Sequence, residues 1–521
     1  MRVSGGSADG ITCAGTWAGE TSFRSVGEYQ KCVSGRGGEW VTDLPATAAP
    51  GTAPVSVARL EPDAIGVSQD TVIGMASSAP AVSVGLTLAV LAGTTAYGSG
   101  PVLVLTAIPM LIIANAYRRL NMWNANCGAS FEWVGRAINP YLGFMTGWLM
   151  ICGYIIGAVA GVEVIGPTVL AVFTSSSGNT WADIGIATGV ALAMLGIAVV
   201  GIRITAQAQV GMAVVEYTIL IGIAAAGLLA VLHHDHGTFP ITKGWFSLSG
   251  IGGHGSLLGG LLIAVFIFSG WEGSLYVNEE VKRRYINPGR AAILGVALLT
   301  IIYAITVMGL QGVVSPARLQ AHSTAALTYV AQALGGSGLA KVMALSLALS
   351  VIAATLTNIV LTARIIYGMA CHRTLPQLLG NVSRRFSTPA PASILVGLIL
   401  VVLTWVYLLA NSVQNAFTAV VDVSGLLFAV FYILTALATI AYYRHRVLTS
   451  AWNALVLGVL PLAAAGFLAW IVAESVRSAP PAQLWSLAGV VAVGLLAMAF
   501  ARFVLRPAFF QIRRESDTQA R

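Results

Sequence analysis

The chain carries about a dozen apolar runs between residues 70 and 505, most of them ~20 residues or longer. Its charged residues lie almost entirely in the gaps between these runs. A helix needs ~20 residues to cross the hydrocarbon core of a bilayer, and backbone surrounded by lipid must satisfy its own hydrogen bonds. Runs such as 102–117, 141–173 and 451–473 therefore predict spanning helices in an integral membrane protein.

The composition supports this class and excludes others. Hydrophobic residues make up 57% of the chain and charged residues only 9%, against ~25% charged in soluble domains, so no water-soluble fold is expected. The net charge is +8, but the basic residues form no dense patch interleaved with aromatic residues, and we expect no nucleic-acid partner. The five cysteines are scattered without a C-x-x-C pair, so neither a disulfide framework nor a metal site is predicted.

Glycine, proline and charge clusters divide the apolar region into twelve predicted spans. We number them in chain order, and their ends are good to about four residues. The lipid bilayer is thus the expected surroundings of most of the chain. The predicted spans are 70–93, 101–118, 140–173, 183–202, 205–232, 256–278, 290–314, 337–371, 392–411, 415–441, 451–474 and 484–505.

The two ends of the chain differ from its middle. Residues 1–69 are rich in Gly, Ser, Thr, Ala and Pro and hold no apolar segment long enough for a signal peptide, which predicts a disordered cytoplasmic tail. For the first ~40 residues, a start codon placed too early is the alternative interpretation. The rest of the chain is expected to form a core of ten helices over 70–445, two further helices over 446–505 and a cytoplasmic tail over 506–521.

The positive residues predict the orientation. With the amino terminus inside, the even-numbered connections hold many of them, such as Arg118, Arg119 and Lys282, whereas the odd-numbered connections hold few, such as Lys243. Cytoplasmic loops carry this excess, so both termini are expected in the cytoplasm and the protein in the cell membrane. The tract 233–236, with three histidines and an acid, is interpreted as a solvated outer loop rather than a metal site.

Two spans contain residues that interrupt a helix in mid-membrane. In the first span a proline, which lacks a backbone N–H and prevents one i to i−4 bond, lies in the run Ser77, Ser78, Ala79, Pro80 and Ala81. In the sixth span two glycines flank an acid in the run Phe268, Ser269, Gly270, Trp271, Glu272 and Gly273. Both runs are predicted break points.

Breaks in the first and sixth spans fit two five-helix repeats of opposite orientation, which is typical of transporters. Broken helices at membrane depth line cavities, where their freed N–H and C=O groups can bind a substrate's carboxylate and ammonium. The alternative is that Pro80 only kinks its helix and the glycines serve close packing. On the first interpretation the substrate-binding residues are Ser77, Ser78, Ala79, Pro80, Ala81, Phe268, Ser269, Gly270 and Trp271, with Phe268 and Trp271 either gating the site or packing.

Several segments resemble the amino acid permeases of the amino acid, polyamine and organocation transporter superfamily. Residues 126–148 are similar to the family's glycine-containing segment that leads into a G-W third helix. Residues 268–290 are similar to its F-x-G-[FW]-E, E-E-x-K and P-x-R pattern, and residues 363–376 match A-R-x-x-Y-x-M-A followed by L-P. The likeness covers about 70–445.

The resemblance implies an all-α membrane protein with twelve transmembrane helices and a five-plus-five inverted repeat (the LeuT-like fold), helices 1 and 6 being broken. It also implies a permease for an amino acid or related amine. Two departures are visible. The first break reads S-S-A-P at 77–80 where many members have G-S-G or G-x-G, which alters the expected carboxylate cradle, and C-H-R at 371–373 replaces R-D-G in a cytoplasmic turn.

Four acids lie in the interior of predicted spans, away from their ends: Glu163, Glu216, Glu272 and Asp422. A charge at the bilayer centre costs ~2.5 to 3.5 kcal/mol on insertion scales, so each of these acids must face a cavity, have a partner or be protonated. Burial favours the protonated form of a carboxyl group, which makes such acids candidate proton carriers. Glu163 and Asp422 are candidates for helix pairing or cavity lining.

Two of these acids are the candidates for proton coupling or relay. Aligning G-I-R at 201–203 with the G-I-[KR] start of the family's fifth helix places Glu216 where some proton-coupled relatives carry a lysine. Glu216 therefore either couples protonation to transport or is hydrogen-bonded between helices. Glu272 lies in the sixth-span break and either binds the substrate's amino group or, as we favour, braces the broken backbone or relays a proton. Glu279 and Glu280 are expected to form a salt-linked surface with the basic run 282–284.

The sequence thus predicts a secondary active transporter that binds its substrate between the two breaks. Helices 1, 2, 6 and 7 would rock against helices 3, 4, 8 and 9, with a co-transported proton. An exchanger or a polyamine transporter of the same fold is the nearest alternative, and a channel or a transport-inactive sensor is the alternative in another class. No H-E-x-x-H, G-x-S-x-G or nucleotide-binding motif is present, so we expect neither an enzyme nor a cofactor.

Overall fold

The structure, a computed structural model, describes residues 59–85, 98–173, 180–235, 237–248, 254–322, 325–410 and 413–516. Within these residues the chain is almost wholly helical, and extended segments meet only at an isolated parallel bridge between Ile65 and Val281. Eleven of the described helices are long and apolar enough to cross a membrane. Helices suit these apolar sequences because they satisfy every backbone group within the segment.

We number the spanning helices α1 to α12. The first is described in two pieces, Val67–Ser77 and 80–85, on either side of a break. The others are α2 Ser99–Trp123, α3 Pro140–Phe173, α4 Thr180–Val200, α5 Ile202–Leu232, α6 His254–Phe268, α7 Asn287–Leu310, α8 Ala326–Cys371, α9 Ala390–Ala410, α10 Val413–Tyr442, α11 Ala451–Ser478 and α12 Pro481–Phe500.

Eleven of the predicted spans each coincide with one of these helices, and so does the described part of the first span, whose residues 86–93 lie outside the described residues. The beginning of α1 nevertheless lies earlier than residue 70, since the helix starts at Val67. Leu60 and Ile65, which the sequence assigned to the disordered tail, are buried. Ile65 is held by backbone hydrogen bonds to the segment after α6, where its N–H donates to the Glu280 carbonyl at 3.2 Å. The rest of the predicted tail, 1–58, lies outside the described residues.

Helix α8 begins at Ala326 rather than at residue 337. Two glycines explain the difference, because Gly335 (φ −147°, ψ 22°) and Gly336 (φ 71°, ψ −164°) leave helical geometry and join a short first helix to the predicted one. Glycine reaches positive φ without the steric cost that a Cβ would impose. The predicted span is the part of α8 that follows this kink.

The helices differ in how deeply they are enclosed. In the most apolar stretch of α8, 83% of the residues are buried, whereas in that of α12 only 11% are. A helix that is apolar all round and enclosed by protein lies in the core, while one that exposes the same apolar residues faces lipid. Helix α8 is therefore a central wall of the bundle, and α12 lies at its edge.

Helices α5 and α7 approach each other closely through small residues. A Cβ added at Gly309 would lie 2.3 Å from the carbonyl oxygen of Ala224, and one at Gly227 would lie 2.4 Å from the carbonyl oxygen of Gly309. Such contacts exclude any larger residue. Small residues of this kind let membrane helices pack backbone to backbone, and here they fix α5 beside α7.

The chain after α12 folds back onto the protein. We call residues 508–516 the C-terminal strap. In it, the ring of Phe509 is 2% exposed and stacks on Phe131, in the short helix Ser130–Ala137 between α2 and α3, with ring centroids 4.4 Å apart. Glu515 pairs with Arg136 of the same helix at 2.8 Å. Part of the predicted tail 506–521 is thus packed, and 517–521 lie outside the described residues.

Candidate functional site

Helix α1 is broken at Ser78 and Ala79. Its first half ends in a turn in which the N–H groups of Ser78 and Ala79 donate to the carbonyls of Met75 (3.0 Å) and Ala76 (3.1 Å). Ala79 has φ +44°, an uncommon conformation for a residue with a Cβ. Helix resumes at Pro80, whose missing N–H costs nothing at the first helical position. The predicted break in the first span is confirmed.

Helix α6 is broken at Ser269 and Gly270. The helix ends at Phe268, and a 3₁₀ turn over Trp271–Leu275 follows. Gly270 has φ +110°, and a Cβ there would lie 2.9 Å from both the carbonyl carbon of Ser77 and the backbone nitrogen of Ser78. Both the left-handed backbone and the close approach require glycine. The predicted break in the sixth span is also confirmed.

The two breaks touch each other. The hydroxyl of Ser78 donates a hydrogen bond of 2.6 Å to the carbonyl of Ser269. One turn away, a Cβ at Gly74 would lie 2.7 Å from the carbonyl oxygen of Trp271. The irregular backbone of α1 is therefore packed directly on that of α6, as expected where non-helical backbone at membrane depth is enclosed by protein.

A narrow cavity lies at this crossing: about 60 Å³ of it can hold the centre of a water-sized sphere, and its empty space counted with the open mouth is about 600 Å³. It is bounded by the two breaks and by α3, α8 and α10. Four of the predicted binding residues line it: Ser77, Ser78, Ala79 and Ser269. The others named by the sequence, Pro80, Ala81, Phe268, Gly270 and Trp271, are not among its described lining residues.

The two predicted aromatic residues of α6 pack inside the protein. Phe268 is fully buried, and its ring meets Tyr303 of α7 edge to face at 5.3 Å. Trp271 is also fully buried, stacked on Tyr432 of α10 with centroids 5.6 Å apart and 5.3 Å from the Tyr117 ring. Both rings therefore pack against other aromatic rings, and neither is among the described residues that line the cavity.

Glu216 reaches the break from α5. Its Oε1 accepts a hydrogen bond of 3.0 Å from the backbone N–H of Ala81, and the same N–H lies 3.2 Å from the hydroxyl of Ser350 on α8. Ala81 stands in the first turn of the second half of α1, where N–H groups have no partner within the helix. The Glu216 side chain thus caps the new helix start from outside, and it is 1% exposed.

Glu272 braces the other break. Its Oε1 accepts a hydrogen bond from the hydroxyl of Tyr154 on α3 (2.6 Å), while its Oε2 accepts from the hydroxyl of Tyr432 (2.6 Å) and the N–H of Gly270 (3.0 Å). Three donors from three elements surround a fully buried carboxylate. This geometry supports the bracing interpretation of Glu272 rather than direct contact with a substrate. The side chains of Glu163 and Asp422 lie outside the described residues.

Three polar or aromatic residues that line the cavity were not singled out from the sequence. Asn358 of α8 accepts a hydrogen bond at Oδ1 from the Ser77 hydroxyl at 2.8 Å, and Tyr154 and Phe428 face the same cavity from α3 and α10. An amide in mid-membrane was a usable signal, because polar groups there face protein interior or a cavity.

Asp70 was missed for a different reason. It lies in the first half of α1, is fully buried, and neither carboxylate oxygen has a hydrogen-bond partner among the described residues. Because the predicted first span begins at this residue, Asp70 was not counted among the acids in mid-membrane. It is not among the cavity's described lining residues.

The expectation for Glu280 after α6 was wrong. Glu280 does not belong to a surface cluster with the basic run 282–284, because it is fully buried and paired bidentately with Arg364 of α8, at 2.8 Å and 3.0 Å. Glu279 accepts a hydrogen bond from the backbone N–H of Cys127 at 3.0 Å. Both acids therefore hold the segment after the α6 break to the scaffold.

Comparison with known proteins places this site in a family. The Amino acid permease family model matches residues 67–504, most of the chain. The chain is 23% identical over 345 residues, 65% of its own length, to an uncharacterized transporter of Mycobacterium tuberculosis, covering 73% of that protein. The family members and relatives are transporters rather than enzymes.

Shorter stretches resemble named animal transporters. The chain is 29% identical over 151 residues to the large neutral amino acids transporter small subunit 2 of Mus musculus, and the alignment spans only 28% of each protein. It is 32% identical over 127 residues, 24% of each protein, to the Asc-type amino acid transporter 1 of Homo sapiens.

The fold is also similar to that of a solved transporter structure. The structure of MhsT in complex with L-phenylalanine superposes with a TM-score of 0.56 at 14% identity, covering 79% of this chain and 99% of MhsT. The likeness shows the fold alone, and it confirms the predicted LeuT-like class. With the family model covering residues 67–504 and both predicted breaks in place, the chain belongs to the amino acid permease family.

Proposed function

We propose that the protein is a secondary active transporter that carries a neutral amino acid across the cell membrane by alternating access, with the substrate bound between the breaks of α1 and α6. One observation carries the proposal: the two breaks meet through the hydrogen bond from Ser78 to Ser269 at the edge of the cavity. Freed backbone groups at such crossings bind the charged ends of small solutes.

The cavity lining supports a zwitterion over a polyamine. None of the described lining residues carries a formal charge. The nearby acids Glu216 and Glu272 accept hydrogen bonds from groups of the protein itself. A polycation would leave its charges uncompensated there, which is costly in a low-dielectric site. The substrate carboxylate would lie at the start of the second half of α1, a helix N-terminus favourable to anions. Its ammonium would face oxygens such as Asn358 Oδ1.

The side-chain end of the substrate would lie against α3. A Cβ added at Gly157 would meet no atom within 4 Å, so this lining residue leaves open space. Phe266, Phe428 and Tyr154 supply apolar surface around it. An apolar amino acid side chain fits these surroundings, and the amino acid transporters among the relatives support the same class.

We propose proton coupling through Glu216. Ionised, its carboxylate accepts the Ala81 N–H at the start of the second half of α1, where a negative charge is favoured by the helix dipole. Protonation removes that charge and weakens the bond that ties α5 to the break. One charge moving through about 100 mV releases about 2.3 kcal/mol, which at about 1.4 kcal/mol per decade sustains a gradient of roughly fiftyfold.

The proposed orientation places both termini in the cytoplasm. The arginines after α2, α8 and α10 all belong to one end of the bundle, the end that also holds the C-terminal strap. An excess of arginine and lysine is typical of cytoplasmic loops.

Uptake by the purified protein in proteoliposomes tests the proposal. We expect saturable uptake of a radiolabelled neutral amino acid, competed by unlabelled solutes of the same class and not by putrescine or spermidine. Saturation and competition distinguish a transporter from a channel, and uptake of any kind excludes a transport-inactive sensor. Stronger uptake of polyamines than of neutral amino acids would overturn the proposed substrate class, and uptake driven only by a counter-substrate would show exchange.

A further inference from the structure

A second cavity lies between α10 and α11, apart from the proposed transport site. It is a groove of about 890 Å³, counted with its open side. On α10 it is lined by residues spaced i, i+3 and i+4, namely Leu437, Ile440 and Ala441, and Arg444 follows in the short helix Arg444–Val447. Residues with this spacing share one face of a helix, so the wall on α10 is an apolar stripe with an arginine just beyond its end.

The opposite wall is an unusual stretch of α11. Residues Ala454–Val459 form a π-helix rather than an α-helix. Such wide turns are rare in proteins, and those that occur are often found at functional sites. Gly458 lines the groove within this turn, and a Cβ there would lie 3.1 Å from Cγ1 of Val447 at the base. The wide turn and the glycine together keep the groove open.

Two arginines stand at one end of the groove. Arg444 lies just after the end of α10, and Arg514 comes from the C-terminal strap. The Nε of Arg444 donates to the His445 ring and that of Arg514 donates to the Ala137 carbonyl. No carboxylate is among the described residues that line the groove, and the nearby Glu515 is already paired with Arg136. The end of the groove is therefore positively charged and uncompensated.

The groove opens where the protein meets lipid. Val459 and Leu462 on its rim are each 58% exposed, and Trp452, just before the π-helix, is 68% exposed. Apolar exposure of this kind faces acyl chains in a spanning helix, and tryptophan is enriched at the membrane interface. Arg444 lies just beyond the last apolar turn of α10, with Arg514 beside it, and lipid headgroups are expected at this end of a spanning helix.

We propose that this groove binds one anionic phospholipid, its phosphate held by Arg444 and Arg514 and one acyl chain lying along the apolar wall. Basic pockets between membrane helices recognise acidic headgroups, and the apolar stripe adds contact that a soluble anion would not use. The bound lipid would link α10, α11 and the strap. This inference concerns a surface distant from the breaks, so it stands or falls independently of the proposed substrate.

Native mass spectrometry of the detergent-purified protein tests the proposal, with dioleoyl phosphatidylglycerol and dioleoyl phosphatidylcholine titrated separately. We expect one phosphatidylglycerol to be retained in preference to phosphatidylcholine. The double variant R444Q/R514Q should weaken this binding at least fivefold. The double variant R290Q/R384Q, which removes two exposed arginines outside the groove, should bind like the wild type.

Two further variants keep the test decisive. Arg514→Gln could loosen the strap through its bond to Ala137, so Arg444→Gln alone must also weaken binding. Ala454→Phe, which fills the groove and keeps both arginines, should weaken binding without changing the net charge. The proposal would be overturned if R290Q/R384Q lost as much lipid binding as R444Q/R514Q, or if phosphatidylcholine were retained as well as phosphatidylglycerol. It would also be overturned if inorganic phosphate at matched concentration competed with the lipid, or if a lipid-free dimer were the dominant species.

Discussion

The backbone N–H of Ala81 donates a 3.0 Å hydrogen bond to Oε1 of Glu216. This bond joins the middle of α5 to the first turn of the second half of α1, 135 residues away along the chain. A titratable side chain is thereby attached to the backbone that the proposed substrate must approach. Proton binding at Glu216 can therefore affect the proposed site directly through this hydrogen bond, with no other helix in between.

Glu216→Gln is expected to abolish the pH dependence of uptake while leaving the fold intact. The amide oxygen can still accept the Ala81 N–H, but the side chain no longer gains or loses a proton. Uptake by the wild type should rise as the outside pH falls from 7.5 to 5.5, and uptake by the variant should stay level.

Glu474→Gln is the matched control, because Glu474 pairs only with the exposed Arg477 next to it on α11. This variant should keep the wild-type pH profile. A pH profile that survives in Glu216→Gln would refute the coupling role.

Gly270→Ala is expected to destabilise the protein and stop transport. The new Cβ would lie 2.9 Å from Ser77 backbone at φ +110°, a strained conformation that costs about 1–3 kcal/mol before any clash is counted. The Tm in detergent should fall by several degrees, and binding should be lost. Gly259→Ala on the same helix, where a Cβ meets nothing within 4 Å, should behave like the wild type; equal Tm values would contradict the packed crossing.

Gly157→Val is expected to change substrate size preference rather than stability. Its added methyl groups would enter the open space at the cavity wall, so larger amino acids should lose affinity by at least tenfold while alanine or glycine loses little. The ratio of apparent affinities for a large and a small substrate is the measurement. Gly185→Val on α4, which also meets nothing within 4 Å at Cβ, is the control. Parallel loss for every substrate would argue that Gly157 does not face the side-chain end.

Phe509→Ala is expected to release the C-terminal strap. The ring of Phe509 is 2% exposed and stacked on Phe131, and removing a buried aromatic side chain costs about 3–5 kcal/mol. Limited proteolysis should then cut the strap faster than in the wild type. Phe503→Ala, which removes a 70% exposed ring, should leave the cleavage rate unchanged. Equal cleavage of the two variants would show that the strap is not held by this contact.

Glu132 links the strap region to the end of α8, and its contribution to stability should depend on pH. Burial opposes ionisation, but the hydrogen bond and charge of His372 and the charge of Arg136 outweigh it and lower the pKa of Glu132 to about 2 from a reference of 4.5. A carboxyl group whose pKa is lowered by folding stabilises the folded protein at pH values above its pKa in the unfolded chain. This stabilisation is lost as the pH falls toward its pKa in the folded protein.

The Tm difference between the wild type and Glu132→Gln should therefore shrink as the pH falls from about 4.5 to about 2. Thermal unfolding across this range measures it. A difference that grows on acidification would contradict the assignment of Glu132 as an ionised partner of His372 and Arg136.

Much of this architecture follows from local sequence. Apolar length locates the spans, Pro80 marks a helix start without an N–H, and Gly270 marks a position that only glycine can occupy. These signals are local because each reports a backbone restriction of one residue. Glu216 was also identifiable, since an acid in an apolar helix requires a partner or a cavity.

The remaining features depend on geometry between distant segments. Trp271 follows the break and could have faced the cavity, but the 3₁₀ turn over Trp271–Leu275 directs it onto Tyr432 instead. Ala79 carries no sequence signal for its positive φ. The pairing of Glu280 with Arg364 joins residues 84 positions apart. It could not be predicted because the basic run 282–284, next to Glu280 in the sequence, offered nearer partners.

A structure of the protein in a lipid nanodisc with its transported amino acid bound is the most direct measurement of the central claim. The account predicts ligand density at the crossing of α1 and α6, with the carboxylate and ammonium within about 3 Å of backbone groups at 78–81 and 269–270. Density for the amino acid elsewhere in the bundle, with both breaks closed against each other and empty, would contradict it.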